Sequence, residues 1–181
     1  MEYTQMITLK NGVSCCLRNG TEQDAQAVLD NFLLTHAQTD YLLAYPDETQ
    51  PSLLMETQFL KHKQESKNEI ELVAVVDGAI VGMAGIDAIG SKAKLRHRAE
   101  LGISIDRAFW GLGIGGALTA ACIACARTAG YKQLELTVVA ENARAIAMYE
   151  KAGFVEFGRN PMGFLSRNTG FQELVHMRLE L

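Results

Sequence analysis

The sequence predicts an α/β fold, a mixed and mostly antiparallel central sheet of about seven strands flanked by about four helices, in one domain over residues 1–181. Three observations carry this. Segments that alternate apolar and polar residues are interleaved with segments whose apolar residues recur every three or four positions, with no internal repeat or low-complexity linker. Asp77-Gly78 joins two apolar runs and is the strongest short hairpin signal in the chain. A glycine-dense turn, Gly111-Leu112-Gly113-Ile114-Gly115-Gly116, follows an alternating strand and opens a helix.

From the amino end, residues 6–9 and 13–18 read as strands. Thr21-x-x-Asp24 then caps a helix whose Ala25, Val28, Leu29, Phe32 and Leu33 form one stripe, as a helix lying on a sheet requires. An acidic, turn-rich connection over residues 39–50 leads to Pro51 and Ser52, which open a second helix running to about Ser66 with a poorer stripe. Residues 71–76 and 79–88 form the hairpin, and the strand beginning at Ala99 follows a charged turn, so these three are expected to be antiparallel neighbours. In the last of them Ala99, Leu101, Ile103 and Ile105 lie on one side and Glu100, Gly102, Ser104 and Asp106 on the other. The helix after the glycine turn runs to Ala129 with Gly130 as its stop. A strand at 132–139, a short helix from Asn142 to Gly153, and strands near 155–158 and 173–180 complete the order, leaving 160–170 without clear periodicity and long for a plain connection.

With 181 residues and 48% hydrophobic content, the chain can bury a core without disulfides or metal. A formal net charge of −4, a pI near 5.6 and no Lys/Arg cluster among aromatics argue against a nucleic-acid partner. Residues 1–10 hold no basic segment followed by an apolar stretch, and no apolar run reaches membrane-spanning length, so a cytoplasmic location without a membrane partner is expected. Cys122 and Cys125 fall one turn apart in an Ala-rich helix with no second ligand pair at zinc spacing, which marks them as core thiols rather than metal ligands. Cys15 and Cys16 point to opposite faces of a strand and are expected to be inert.

The glycine turn spells two cofactor signatures at once. Glycines allow close backbone approach, and the free N–H groups and dipole of a helix's first turn attract phosphate. Taken literally, Gly111-x-Gly113-x-x-Gly116 is the dinucleotide fingerprint, with Glu135 at about the spacing of a ribose-binding acid, which would make the chain a nicotinamide-dependent oxidoreductase. Two offsets oppose it: five residues, Asp106 to Trp110, separate the one-faced strand from Gly111, and Glu135 lies inside the apolar run 134–139 instead of at its end. The second signature needs the later helix, where Asn142 is a good N-cap, Gly153 a good stop, and Asn142 and Tyr149, seven positions apart, project from nearly one face.

Through Trp110-Gly-Leu-Gly-Ile-Gly-Gly-Ala-Leu118 together with Asn142-Ala-Arg-Ala-Ile-Ala-Met-Tyr-Glu-Lys-Ala-Gly-Phe154, the chain resembles the GNAT superfamily of acyl-CoA-dependent N-acetyltransferases. The specific part spans residues 100–154; the rest agrees in element order. The resemblance implies acetyl-CoA as co-substrate, bound in a cleft where the strand before the glycine turn and the strand after its helix splay apart. It implies pyrophosphate binding by main-chain N–H groups of Gly111, Leu112, Gly113, Ile114, Gly115 and Gly116, and pairing of the pantetheine arm with the strand edge at Ile103, Ser104 and Ile105. One of those three amides would polarise the thioester carbonyl. Asn142 would hydrogen-bond the cofactor, cap its helix, or both, and Tyr149 would bind the cofactor and act as general acid toward the departing thiolate, against the alternative of a packing tyrosine.

For the base the candidates are Glu100, on the polar side of its strand, and His97, between Arg96 and Arg98, with Glu100 preferred. Trp110 stands where many members carry Arg or Gln, and Thr137 where members that acetylate protein amino termini often carry Glu, which disfavours that subclass. The connection with Asp40, Tyr41, Tyr45, Asp47 and Glu48 corresponds to the region shaping the acceptor pocket, where negative charge would suit a cationic amine, although a solvated loop explains it equally. Residues 160–170 would line that pocket or a dimer contact, and exposed strand edges near the carboxyl end would suit a homodimer. The expected reaction is acetyl transfer to a primary amine of a small molecule or peptide in a ternary complex, without metal and without an acyl-cysteine, since no cysteine neighbours a plausible base in sequence. The alternatives are a non-catalytic acyl-CoA-binding regulatory module and the oxidoreductase.

Overall fold

Residues 1–48 and 51–181 are described by the structure, a computed structural model. Thr49 and Gln50, the end of the acidic connection, lie outside the described residues. The strands are β1 (Thr4–Thr8), β2 (Ser14–Asn19), β3 (Ile70–Val76), β4 (Ala79–Ala88), β5 (Arg98–Ile105), β6 (Gln133–Val139), β7 (Val155–Ser166) and β8 (Gly170–Glu180); the helices are α1 (Ala25–Gln38), α2 (Leu53–Glu65), α3 (Ile114–Thr128) and α4 (Ala143–Lys151). The eight strands described form one sheet in the order β1-β2-β3-β4-β5-β6-β8-β7, each at a place read as a strand from the sequence, whose expected total was about seven, and every neighbouring pair is antiparallel except β5 and β6.

Local chemistry explains most boundaries. Asp77 and Gly78 adopt positive φ (49° and 82°), the conformation a two-residue hairpin turn demands. Asp24 accepts from the Thr21 N–H and hydroxyl (both 2.8 Å) and from both terminal nitrogens of Arg18, which together hold its carboxyl at a pKa of about 2. Ser52 Oγ caps α2 by accepting the Met55 N–H. On α1 the buried stripe is rotated from the expected one. Leu33 is 40% exposed, and Asn31 and Thr35 are buried with Ala25, Val28 and Leu29, because the Asn31 amide donates to the Ile80 carbonyl of β4.

The larger core lies between the sheet and α3 and α4, around Leu72, Ile86, Leu101, Leu118, Leu134 and Phe154; a smaller one beneath α1 and α2 joins Ala25, Val28, Leu60 and Val73. Cys15, Cys122 and Cys125 are buried in the larger core and Cys16 is half-buried, as expected of packing thiols. Among the described residues no helix is long and apolar enough to cross a membrane.

Residues 160–170 are not a connection. They belong to a long hairpin in which β7 runs to Ser166 and β8 starts at Gly170. The register slips between Glu156 and Gly158 and again between Asn160 and Phe164, where Pro161 cannot donate to the ladder. Extra residues at the two slips erase the two-residue alternation by which a strand is recognised in sequence.

Candidate active site

The single parallel pair creates the opening. β5 pairs with β4 along its whole length, from Ala88↔Ala99 to Gly82↔Ile105, but with β6 only at Arg98↔Gln133, Ala99↔Leu134 and Glu100↔Glu135. β6 meanwhile stays with β8 to Val139↔Leu174, so the two strands diverge beyond Glu100. The Asp106 N–H donates to the Val81 carbonyl (2.9 Å), and alternation back from it turns the peptide groups of Ser104 toward β4 and those of Ile103 and Ile105 toward the gap. By the same argument from the Ala140 N–H on the Glu173 carbonyl, Thr137 turns its peptide groups into the gap from β6. No strand pairs with any of them there.

At the closed end the Arg98 guanidinium donates to both oxygens of Glu135, Nη2 to Oε2 at 2.8 Å, and Gln133 Nε2 adds a bond at 2.8 Å. Arg98 thereby holds the Glu135 carboxyl below its ordinary range. A carboxylate so engaged is no ribose ligand. A short 3₁₀ turn at Arg107–Phe109 intervenes before Gly111, and the sheet has one parallel pair where the dinucleotide fold is mostly parallel, so the oxidoreductase reading fails on architecture.

The glycine turn divides into donors and packers. Gly111 and Gly113 take φ of 81° and 105°, and Gly113 is the N-cap of α3, where it offers no side chain to the first turn. The first helical bond belongs to Ala117, on the Gly113 carbonyl (3.1 Å), leaving the N–H groups of Ile114, Gly115 and Gly116 without intrahelical acceptors. A Cβ on Gly113 or Gly116 would meet nothing within 4 Å, so these face open space. A Cβ on Gly115 would stand 2.8 Å from Met148 Sδ, which makes Gly115 the contact that seats α4 beside α3. Leu112 is strapped to the β1–β2 turn, its carbonyl accepting the Lys10 N–H, and the Ile114 side chain is core.

On α4 the Asn142 Oδ1 caps the helix by accepting the Ala145 N–H (3.3 Å). Tyr149, next to Met148, is 5% exposed, packs edge-on against Phe154 (5.8 Å), and its hydroxyl makes no hydrogen bond among the described residues. Burial pushes the phenol above its ordinary pKa, so it keeps its proton at neutral pH. Glu100 is exposed at the last paired position of β5, opposite Asp87, on the sheet face that carries α1 and α2; His97 is exposed in the turn before β5, its carbonyl accepting from Lys132 and Gln133. Both bases proposed from sequence therefore sit at the closed end of the pair.

Beside the open end lies a pocket of about 430 Å³, lined by Asp40 and Tyr41 after α1, Arg107 and Trp110 after β5, Glu141 after β6, and Phe171 and Gln172 of β8. The acidic connection is partly neutralised: the single cation Arg167 binds both Asp47 (2.8 Å) and Glu48 (2.9 Å) and lies over the Tyr45 ring. Asp40 accepts from the Ser166 and Tyr45 hydroxyls, which lower its pKa and keep it ionised. Arg107 and Glu141 form no ion pair among the described residues. Sequence reasoning missed Arg107, Glu141, Phe171 and Gln172; only Glu141 carried a signal, as an acid at the carboxyl end of β6, where ligands gather in α/β sheets.

Comparison with known proteins agrees with this geometry. The chain is 29% identical over 137 residues, 70% of its length and 84% of the relative's, to the L-amino acid N-acetyltransferase AaaT of Escherichia coli (strain K12). It superposes on a GNAT-family acetyltransferase from Streptococcus pneumoniae with a TM-score of 0.87 and 28% identity, covering 92% of this chain and 99% of that one. For yncA of Salmonella typhimurium, determined with its cofactor acetyl-CoA, the TM-score is 0.81 at 20% identity, covering 92% and 94%. Residues 31–154, more than half of the sequence and including both the glycine turn and the Asn142 helix, match the Acetyltransferase (GNAT) family, and the chain belongs to it.

Proposed function

We propose that this GNAT acetyltransferase moves the acetyl group of acetyl-CoA to the primary amine of a small acceptor by direct attack in a ternary complex. One observation carries the reading: the peptide groups of Ile103 and Thr137 and the N–H of Ile105, whose carbonyl is taken by Trp110 Nε1, face a gap without a partner strand that leads to the uncapped first turn of α3. A pantetheine arm, with its two amides, adds to such an edge as a peptide strand does, and a pyrophosphate satisfies the N–H groups of Ile114, Gly115 and Gly116. Ser104, whose peptide groups serve β4, contributes position instead of a donor. The Ile103 or Ile105 N–H then polarises the thioester carbonyl.

The acceptor reaches the thioester from the pocket at the open end. Asp40 and Glu141 receive its ammonium, and Arg107 receives an anionic group, a charge pattern that suits an α-amino acid, the substrate class in the name of the Escherichia coli relative. Glu100, exposed at the closed end and without an ion-pair partner among the described residues, takes the ammonium proton through a chain of water along the gap. The freed nitrogen forms a bond to the carbonyl carbon, the carbon–sulfur bond breaks as Tyr149 gives its proton to the sulfur, and the second proton shed by the nitrogen returns to the phenolate through water, leaving a neutral amide and the free thiol. Proximity and carbonyl polarisation supply most of the acceleration.

The test is release of free thiol from acetyl-CoA with a panel of L-amino acids, diamines and short peptides, with mass spectrometry of the protein incubated with acetyl-CoA alone. Thiol release matched by N-acetylated amino acid, and an unmodified protein without acceptor, are the expected results. Tight coenzyme A binding with no turnover on any amine would instead make this a regulatory binding module.

A further inference from the structure

We infer that Arg144, in the first turn of α4, binds a phosphate group of the cofactor and is held over the glycine turn by the ring of Trp110. The inference rests on the proposed reading of that turn as the pyrophosphate site. Trp110 is fixed by its own hydrogen bond, Nε1 to the Ile105 carbonyl at 2.7 Å. The Arg144 guanidinium lies over the indole, 5.3 Å from the ring centroid. Its Nη2 lies 3.2 Å from where a Cβ on Gly111 would be, so the cation rests against the backbone of the turn itself, and any side chain at Gly111 would displace it.

Electrostatics make this an odd place for an arginine that served only the fold. Both α3 and α4 begin here, and neither has an acidic residue in its first turn. A cation at the positive end of a helix is unfavourable, and Arg144 has no carboxylate partner among the described residues. Two helix termini and a guanidinium thus converge with no acid in either first turn, and Glu141, just before the α4 cap, forms no ion pair with Arg144. A polyanion supplies what is missing, and the planar guanidinium, held in advance over the indole, presents paired donors to phosphate oxygens at reduced entropic cost.

The test compares wild-type, Arg144→Gln and Arg144→Lys proteins by calorimetric titration with coenzyme A, 3′-dephospho-coenzyme A and pantetheine, and by thermal melts without ligand. Arg144→Gln is expected to weaken coenzyme A about tenfold, roughly one charge-assisted contact. The salt dependence of binding should become shallower, pantetheine affinity should stay unchanged, and the ligand-free melting temperature should be equal or higher. Lysine should recover part of the loss, because it restores charge but not the stack. Retention of the tenfold difference with the dephospho compound assigns the contact to the pyrophosphate, and its disappearance assigns it to the 3′-phosphate. Equal affinity of wild-type and Arg144→Gln proteins for coenzyme A at low salt overturns the inference, as does an equal loss for pantetheine. A wild-type protein that binds no coenzyme A removes the reading of the turn first.

Discussion

The two ends of the β5–β6 pair are built on opposite principles. At one end three paired positions are reinforced by Arg98 clamped on Glu135; at the other Ile103, Ile105 and Thr137 turn their peptide groups into a gap with no partner strand. A short parallel ladder is weak by itself, so the closed end needs side chains to hold it. The open end is made by omission: β4 and β8 keep the outer edges of the two strands fully paired while the inner edges part. Unmet peptide groups cost the fold stability and become binding groups for a ligand with amides of its own.

The comparison breaks most severely at the open end's far boundary, the glycine turn. Gly113→Val puts a β-branched residue at φ 105°, a strain of about 1–3 kcal/mol, and fills space that is open in front of the first turn of α3. Coenzyme A affinity is expected to fall about 10³-fold from the obstruction, while the strain appears as a lower melting temperature and circular dichroism stays native. Affinity within a factor of a few of wild type would move the phosphate site elsewhere. Next in size is Tyr149→Phe, expected to lower kcat about 10²-fold with coenzyme A affinity nearly unchanged. Because the Tyr149 hydroxyl makes no hydrogen bond among the described residues, its loss should leave the melting temperature in place, and unaltered turnover would assign protonation of the sulfur to water.

How much of this could be read from the sequence follows the range of the interactions. Asp77-Gly78, Thr21 with Asp24, and the stops at Gly130 and Gly153 act within a few residues, and the structure repeats them. The alternation of β5 was readable as two faces, but which of its amides are free depends on β4, which takes the peptide groups of Ser104. The pocket joins residues near positions 40, 107, 141 and 171, and part of the charge of the acidic connection is offset by Arg167, 120 residues from Asp47. No local pattern encodes such pairings. The continuation of β7 beyond the strand read at 155–158 was hidden for another reason, since two slips of register in one strand destroy the alternation that would have marked it.

The smallest effect belongs to the closed end and decides whether it serves stability or the site. Arg98→Ala removes a two-pronged contact to a mostly buried carboxylate and is expected to cost about 1–3 kcal/mol at pH 7, read as a lower melting temperature. Since Arg98 lowers the Glu135 pKa in the folded state, the pair's contribution is complete above the unfolded carboxyl value of about 4.3 and is lost as pH falls through the lower folded value. The difference in stability between wild type and Arg98→Ala should therefore be constant from pH 7 to 5 and shrink below about pH 4. Coenzyme A affinity should change less than threefold, roughly half a kcal/mol, if the clamp only fixes where the ladder ends. A large loss of affinity with an unmoved melting temperature would mean that the clamp sets the angle of the gap, and that the closed end is part of the binding machinery it was contrasted with.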